Sequence, residues 1–539
     1  MTVVEPSPDR AATMTDHPRW YGALAGVIAA AVALIFGELV AAINEDIPGL
    51  VLGMGEWILD ITPGEAAQAS IENLGSSGKA WLLPGITITA LILGAILGDL
   101  SKHVSMRIGV AGLAMFGILG GFTAARNPQS PALASWIWAL VSAGLGIATL
   151  VFLLSRMQRP TRLASFREDP REKSATRRAF LSWSAGAGAI AVTGFGIARR
   201  VDGQSAAEVA RDGLDFSSLT STTSTTTPAS PLATPLTPGS FDAVPGIDSF
   251  ITPNNTFYRI DTALSVPQVD PDTWSLSFTG MVDNPYTLTF DDILAMDELE
   301  EHTVTLSCVS NNVGGGLVGT AKWLGVPITS LLDRAGVQEG ATQFVGRSVD
   351  DWTAGFPTST LDDGRTALLA VGMNGEPLPI IHGFPARLVV AGLYGYVSAV
   401  KWIEEINLTT WEDFNGYWIT RGWSKDGPMK TASRIDVPRH RADVVTGETI
   451  VAGVAWSPPV GIRTVEISID QGEWRECEIA APGSDETWVQ WKTSWDATPG
   501  DHILQVRAVD ADGQLQPFGP KAVAPDGAEG WHAIAVTVA

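Results

Sequence analysis

The chain has 539 residues, of which 45% are hydrophobic and 17% charged, and a formal net charge of −23. That length exceeds a single domain, and two cysteines, Cys308 and Cys477, exclude a disulfide framework. Residues 1–200 hold 16 Lys+Arg against 14 Asp+Glu and the remainder 19 against 44, and so acidic a distal part excludes nucleic acid as a partner.

Five apolar stretches are long enough to cross a bilayer: about Trp20–Ile43, Ala80–Leu97, Ile108–Ala124, Ala132–Leu154 and Phe180–Ala198. Their number and near-lack of interior charge set aside buried core helices, so residues 1–200 are expected to form an all-α transmembrane domain of about five helices. No histidine lies inside a span, which excludes a haem held by paired intramembrane histidines. Glu38 is the one costly residue within the first span, a functional candidate by default.

Basic loops set the orientation. Arg156, Arg159, Arg162, Arg167, Arg171, Lys173, Arg177 and Arg178 follow the fourth span and place that loop in the cytoplasm. The acidic loop with Glu45, Asp46, Glu56, Asp60, Glu65 and Glu72 then lies outside. The fifth span carries everything after residue 200 out of the cytoplasm, to the outer face of a multi-pass cell-membrane protein. Thr176-Arg177-Arg178-Ala179-Phe180-Leu181 resembles a twin-arginine export signal, in an internal position and with Ser182 where lysine is usual. Two arginines there also serve as a plain positive flank. Residues 201–244, with Ser/Thr/Pro-rich low complexity at 217–240, read as a flexible linker.

From residue 245 the pattern is strands with short helices, an α+β organisation. Trp274 to Gly280 alternates and turns at Asp283–Pro285; Phe290 to Met296 reads as a short capped helix, and Gly325 to Gly336 as a helix closed by glycine. His302 to Cys308 alternates as a strand and delivers a thiol at its end, followed by Gly314, Gly315 and Gly316. A strand-end cysteine facing a glycine-lined space suits a soft metal, the missing β-carbons admitting a bulky ligand. Alone, it reads equally as a small buried hydrophobe.

His382, Arg387, Ser398 and Lys401 flank apolar strands, with amides near Gly395 and Val400. Such donors suit a phosphate: arginine grips it bidentately and lysine acts as a point charge. Asn255, Tyr258 and Arg259 stand upstream in Thr252–Arg259. Residues 436–539 alternate in short stretches separated by turns at Asp470–Gly472 and Asp510–Gly513, as in an immunoglobulin-like β-sandwich.

Three segments together carry a resemblance: Leu306 to Asn312 around Cys308, Met373-Asn374-Gly375-Glu376-Pro377, and His382 to Val390 with Tyr394 to Trp402. In order and spacing they resemble the sulfite oxidase family of molybdopterin-binding oxidoreductases, over roughly residues 245–539. The resemblance implies a molybdenum–molybdopterin cofactor with Cys308 as the metal ligand. It implies cofactor contacts from Asn255, Tyr258, His382, Arg387, Ser398, Val400 and Lys401, with Arg259 catalytic at the substrate site. It also implies a molybdopterin domain over 245–435 and a C-terminal module over 436–539 of the type that forms homodimers. Two departures stand out. Cys308 is followed by Val309-Ser310-Asn311-Asn312 rather than the arginine-bearing run of sulfite oxidases, and Val371-Gly372 precedes Met373 where they have a tyrosine. Arg347 is the remaining cation able to restore an anion site.

The expected function is oxo transfer on a small substrate outside the membrane, an S-oxide or N-oxide before sulfite. Electrons pass through a quinone or a separate electron-transfer protein, because no Fe–S spacing and no Cys-x-x-Cys-His is present. The alternatives are a sulfite dehydrogenase of the same family, or a non-enzymatic membrane protein displaying an adhesive or sensory β-sandwich.

Overall fold

The computed structural model describes residues 20–44, 47–74, 77–157, 205–216, 240–481 and 483–539. The chain divides into two compact units: Met1–Ile61 with Lys79–Gly203, and Thr62–Gly78 with Gln204–Ala539.

The first unit contains α1 (Trp20–Ile43) and α2 (Leu50–Ile61); α3 (Gly64–Leu74) groups with the second unit; α4 (Ser77–His103), α5 (Met106–Ala124) and α6 (Ala132–Met157) complete the first. Among the described residues four helices, α1, α4, α5 and α6, are long and apolar enough to cross a membrane. The fifth expected span, Phe180–Ala198, and the twin-arginine segment lie outside the described residues. Leu133 and Trp81 are 76% and 71% exposed, an outward apolar surface that water does not favour and lipid does. Small residues let α1 and α4 touch through backbone. A β-carbon on Gly22 would stand 2.9 Å from the Gly98 carbonyl, and one on Gly26 would collide with that of Gly94. Glu38 has a structural partner: its Oε1 accepts from Val51 N at 3.4 Å, in the first turn of α2.

The flexible linker expected over 201–244 is partly ordered. Ser205 and Glu208 form a capping box that starts α7 (Ala206–Asp212), and Arg211 donates to the carbonyls of Pro377 and Leu378. The 217–239 portion lies outside the described residues.

The next ten strands are β1 (Ser275–Gly280), β2 (Tyr286–Thr289), β3 (Glu300–Ser307), β4 (Val318–Pro327), β5 (Gln343–Ser348), β6 (Thr353–Pro357), β7 (Ala367–Met373), β8 (Glu376–Pro377), β9 (Arg387–Val390) and β10 (Ile403–Thr409). One sheet runs β2-β1-β10-β5-β6 and the other β3-β4-β7-β8, with β9 paired to β7. Helix α8 (Phe290–Leu294) carries a Thr289–Asp292 capping box. The helix expected from Gly325 is shorter: β4 runs on to Pro327, and α9 (Ile328–Ala335) ends where Gly336 takes φ +69°. Both faces of β3 and β7 are buried, which is why β7 reads as a continuous apolar run. The last helix, α10 (Gly395–Ser398), precedes β10.

Nine further strands follow: β11 (Ala432–Val437), β12 (Asp443–Val444), β13 (Gly447–Trp456), β14 (Ile462–Ile469), β15 (Arg475–Glu476), β16 (Glu478–Ile479), β17 (Val489–Ala497), β18 (Gly500–Asp510) and β19 (His532–Val538). They form two sheets, β11-β13-β17-β16 and β12-β19-β18-β14-β15, around a core that includes Trp491, Leu504, Val506 and buried Cys477. The boundary expected at 435/436 falls inside β11, whose pairing with β13 already begins at Ala432.

Candidate functional site

Antiparallel pairing of β3 with β4 ends at Ser307 and Val318, and the Cys308 amide continues it with a 2.9 Å bond to the Leu317 carbonyl. The intervening loop is closed by its own polar groups. Asn311 Oδ1 accepts from Leu317 N at 2.9 Å, and Gly315 N donates to the Asn312 carbonyl at 2.8 Å. The glycines do not all serve a ligand. Gly314 has φ +75° and leaves room for the His532 ring, and a β-carbon on Gly315 would meet Asn311 and Asn312; only Gly316 faces open space. Arg434 Nη1 donates to the Gly315 carbonyl at 2.9 Å. Sequence reading missed both clamps, His532 and Arg434, because they reach the loop from more than a hundred residues away.

The Cys308 thiol is free and half-buried, 2.9 Å from the Ser310 hydroxyl. Burial pushes its pKa up, and the Ser310 hydroxyl and amide oppose that. Binding a soft metal therefore requires loss of this proton.

Tyr258 links the thiol to a cluster of cations. Burial raises the phenol pKa, the nearby Cys308 adds to this, and Arg387 opposes it. Arg387 is buried in the first position of β9, with Nη1 donating to the His382 carbonyl at 3.0 Å and its guanidinium carbon 5.0 Å from the Trp323 ring centre. Burial brings its pKa down to about 10. His382 ends a short 3₁₀ turn, Ile380–His382, and its Nε2 lies 3.0 Å from the Asn254 carbonyl. Burial first, then Arg387, Lys401 and Arg259, lower the imidazole to about 4, so it is neutral at pH 7 and donates from Nε2. Lys401 Nζ donates to Asp261 Oδ2 at 2.6 Å and to the Ile381 carbonyl at 3.3 Å; burial brings it to about 8 despite Asp261. Arg259 Nε binds the same Asp261 oxygen at 2.9 Å.

The fold thus brings Tyr258, Arg259, Cys308, His382, Arg387 and Lys401 into one neighbourhood. The other expected residues are engaged differently. Ser398 donates its hydroxyl to the Tyr394 carbonyl at 3.2 Å, and Val400 gives its carbonyl to Leu388 N at 2.8 Å. Exposed Asn255 lines a cavity of about 450 Å³ with Ile251, Pro253, Asn254, Asn374 and Glu376. Arg347 does not restore an anion site, because it pairs with Glu405, and with Asp351 at 3.7 Å. Tyr394 was also missed. Its phenol is pushed to about 12, by burial first and in part by Cys308, and accepts a long 3.4 Å bond from Lys430 N.

The buried neutral His382 gives a pH test. Its folded pKa of about 4 lies below its unfolded value of roughly 6.5. Stability from it is complete above that unfolded value and is lost as pH falls through the window to 4. The expected loss is at most about 3 kcal/mol. His532, lowered to about 4 by burial, acts in the same direction. Thermal unfolding between pH 7 and 4.5 should show a falling midpoint, less steep in His382→Gln; an unchanged slope in that variant would remove His382 from the linkage.

Whether these residues fit a molybdopterin is decided by Arg387. Among the described residues no carboxylate pairs with it, and a buried guanidinium without a counter-ion is costly. A phosphate supplies that ion, and the nearby thiol supplies the soft ligand: the residues fit.

Comparison with known proteins agrees. Residues 263–418 match the family model described as oxidoreductase molybdopterin binding domain. Mitochondrial sulfite oxidase of Rattus norvegicus is 29% identical over 346 residues, 54% of this chain and 62% of the rat protein. Nitrate reductase [NADH] 1 of Oryza sativa subsp. japonica is 28% identical over 50% of this chain and 36% of its own length. The uncharacterized oxidoreductase YuiH of Bacillus subtilis (strain 168) is 36% identical over 164 residues, 29% of this chain and 76% of that protein. By class, residues 263–418 form a molybdopterin-binding oxidoreductase domain. The chain belongs to the sulfite oxidase family, whose cofactor is molybdenum bound to molybdopterin. The chain spans about 62% of the length of the rat sulfite oxidase it matches. The family match begins after Arg259, so it covers Cys308, His382, Arg387, Ser398, Val400 and Lys401 but not Asn255, Tyr258 or Arg259.

Proposed function

We propose that this protein is a membrane-anchored enzyme whose molybdenum site lies outside the cytoplasm and removes oxygen from a small S-oxide or N-oxide. The carrying observation is Arg387, which no carboxylate pairs with among the described residues, beside His382 and Lys401, with Tyr258 adjoining both Arg387 and Cys308. In this reading Arg387 and Lys401 hold the pterin phosphate, His382 donates as a neutral imidazole, and Cys308 binds the metal as a thiolate. Asn255, Ser398 and Val400 contribute at most backbone or rim contacts. The cofactor, when bound, supplies two-electron oxo-transfer chemistry. The chain's part is to orient it and to seat the substrate oxygen, with Arg259 donating to it. In balance, a sulfoxide with a pair of electrons and a pair of protons gives the thioether and one water: the S=O bond breaks, and its oxygen leaves as that water. The electrons come from a quinol or a separate electron-transfer protein.

Two observations support the location. The basic loop after α6 favours the cytoplasm. The acidic loop before α4 contributes α3 to the same compact unit as the catalytic residues, where Gln68 donates to the Arg421 carbonyl at 3.3 Å. In the same reading the two C-terminal sheets are an immunoglobulin-like sandwich that pairs two copies of the chain, and the segment at Arg177–Arg178 serves twin-arginine export.

The substrate reading rests on charge: a buried dianion needs paired cations, and Arg347 is already engaged by Glu405. With an artificial electron carrier, kcat/KM for methionine sulfoxide or trimethylamine N-oxide should exceed that for sulfite at least tenfold. Sulfite as the best of the three would return the protein to the sulfite dehydrogenase reading.

A further inference from the structure

Asp261 stands two residues after Arg259 and is 6% exposed at its side chain. Its carboxylate takes Lys401 Nζ at 2.6 Å and Arg259 Nε at 2.9 Å on one oxygen, and Arg259 Nη2 at 3.5 Å on the other. Lys401 is itself 9% exposed at its side chain, so this carboxylate sits where two cations meet out of water. We propose that Asp261 is a specificity-determining residue: it neutralises Arg259 and makes the substrate site reject oxyanions while accepting a neutral S=O or N–O dipole. The inference rests on the substrate-site reading of Arg259 given above.

With Lys401 set against the pterin phosphate as proposed above, an incoming sulfate or sulfite gains little from a guanidinium that already holds a carboxylate at hydrogen-bond distance. To take Arg259 as its own partner it must draw the guanidinium away from a nearly buried carboxylate, leaving that carboxylate with Lys401 alone. A neutral oxide needs no net charge from the site, only a donor. Arg259 keeps its Nη1 hydrogens for that purpose, since its bonds to Asp261 use Nε and Nη2. Arg387 does not substitute for Arg259, because it is buried and bonded to the His382 carbonyl.

Sulfate binding to the molybdenum-loaded full chain, followed by titration calorimetry at constant ionic strength, tests this without any turnover. Asp261→Asn should bind sulfate at least tenfold tighter than the unaltered protein. The gain should vanish in Asp261→Asn combined with Arg259→Gln, and Asp261→Glu should retain the original weak binding. Affinities are taken per bound molybdenum, so partial cofactor loss does not mimic the effect. Should Asp261→Asn fail to fold, Arg259→Gln alone decides: sulfate affinity unchanged supports the inference, and a tenfold loss overturns it. Equal sulfate affinity in Asp261→Asn and the unaltered chain, or a gain that persists without Arg259, also overturns it. Because no substrate is consumed, a failure here leaves the S-oxide reading standing, and inactivity toward S-oxides leaves this result intact.

Discussion

Replacing Cys308 by serine should reduce turnover by at least about a thousandfold, the largest functional effect expected from a single side chain in this protein. The substitution changes one atom at the end of β3, where the backbone is held by the Leu317 carbonyl and Asn311, so the fold should be unaffected. The chemistry changes because a serine hydroxyl keeps its proton at neutral pH and is a poor soft-metal ligand. Burial makes the thiol proton harder to remove, and a bound metal takes its place. Full activity in Cys308→Ser, measured per folded protein, would take the metal ligand away from residue 308.

Arg387→Ala should instead strip the cofactor, leaving less than about a tenth of the normal molybdenum content, because a buried cation that no carboxylate pairs with among the described residues is lost. Its effect on the cofactor-free protein should be small. A guanidinium lowered from 12.5 to about 10 costs about 3 kcal/mol of folding stability. Removing it relieves that cost and forfeits the bond to the His382 carbonyl and the packing on Trp323. The signature is a near-constant unfolding midpoint without cofactor together with lost molybdenum. Arg387→Lys, which keeps the charge but not the fork, should fall between. Normal molybdenum content in Arg387→Ala would remove this residue from the phosphate site.

Local signals in the sequence placed much of this. Hydropathy located α1 at Trp20–Ile43, alternation ended β3 at the cysteine, and a glycine closed α9. Helix α7 is legible too, since Ser205 and Glu208 have capping-box spacing, but the adjoining Ser/Thr-rich stretch masks that signal. Helices α2 and α3 stand in an acidic loop too short in apolar residues to signal a span. What sequence could not reveal is long-range. Trp323 beneath Arg387, Tyr394 near Cys308, and Arg434 with His532 behind the cysteine loop are each brought in by sheet pairing and loop packing. The role of the glycines was misjudged for the same reason: Gly314 accommodates a histidine from β19 rather than a ligand. Arg347 shows the reverse error, a cation counted for a site although its cross-strand partner Glu405 already holds it.

The central claim is that one thiolate and one cluster of buried cations hold a single molybdenum–pterin group. Elemental analysis of the full chain, purified from a host that makes the cofactor, tests it most directly. About one molybdenum per chain is expected, falling in Cys308→Ser and nearly absent in Arg387→Ala. Protein that is folded, carries both residues, and contains no molybdenum and no pterin would contradict it.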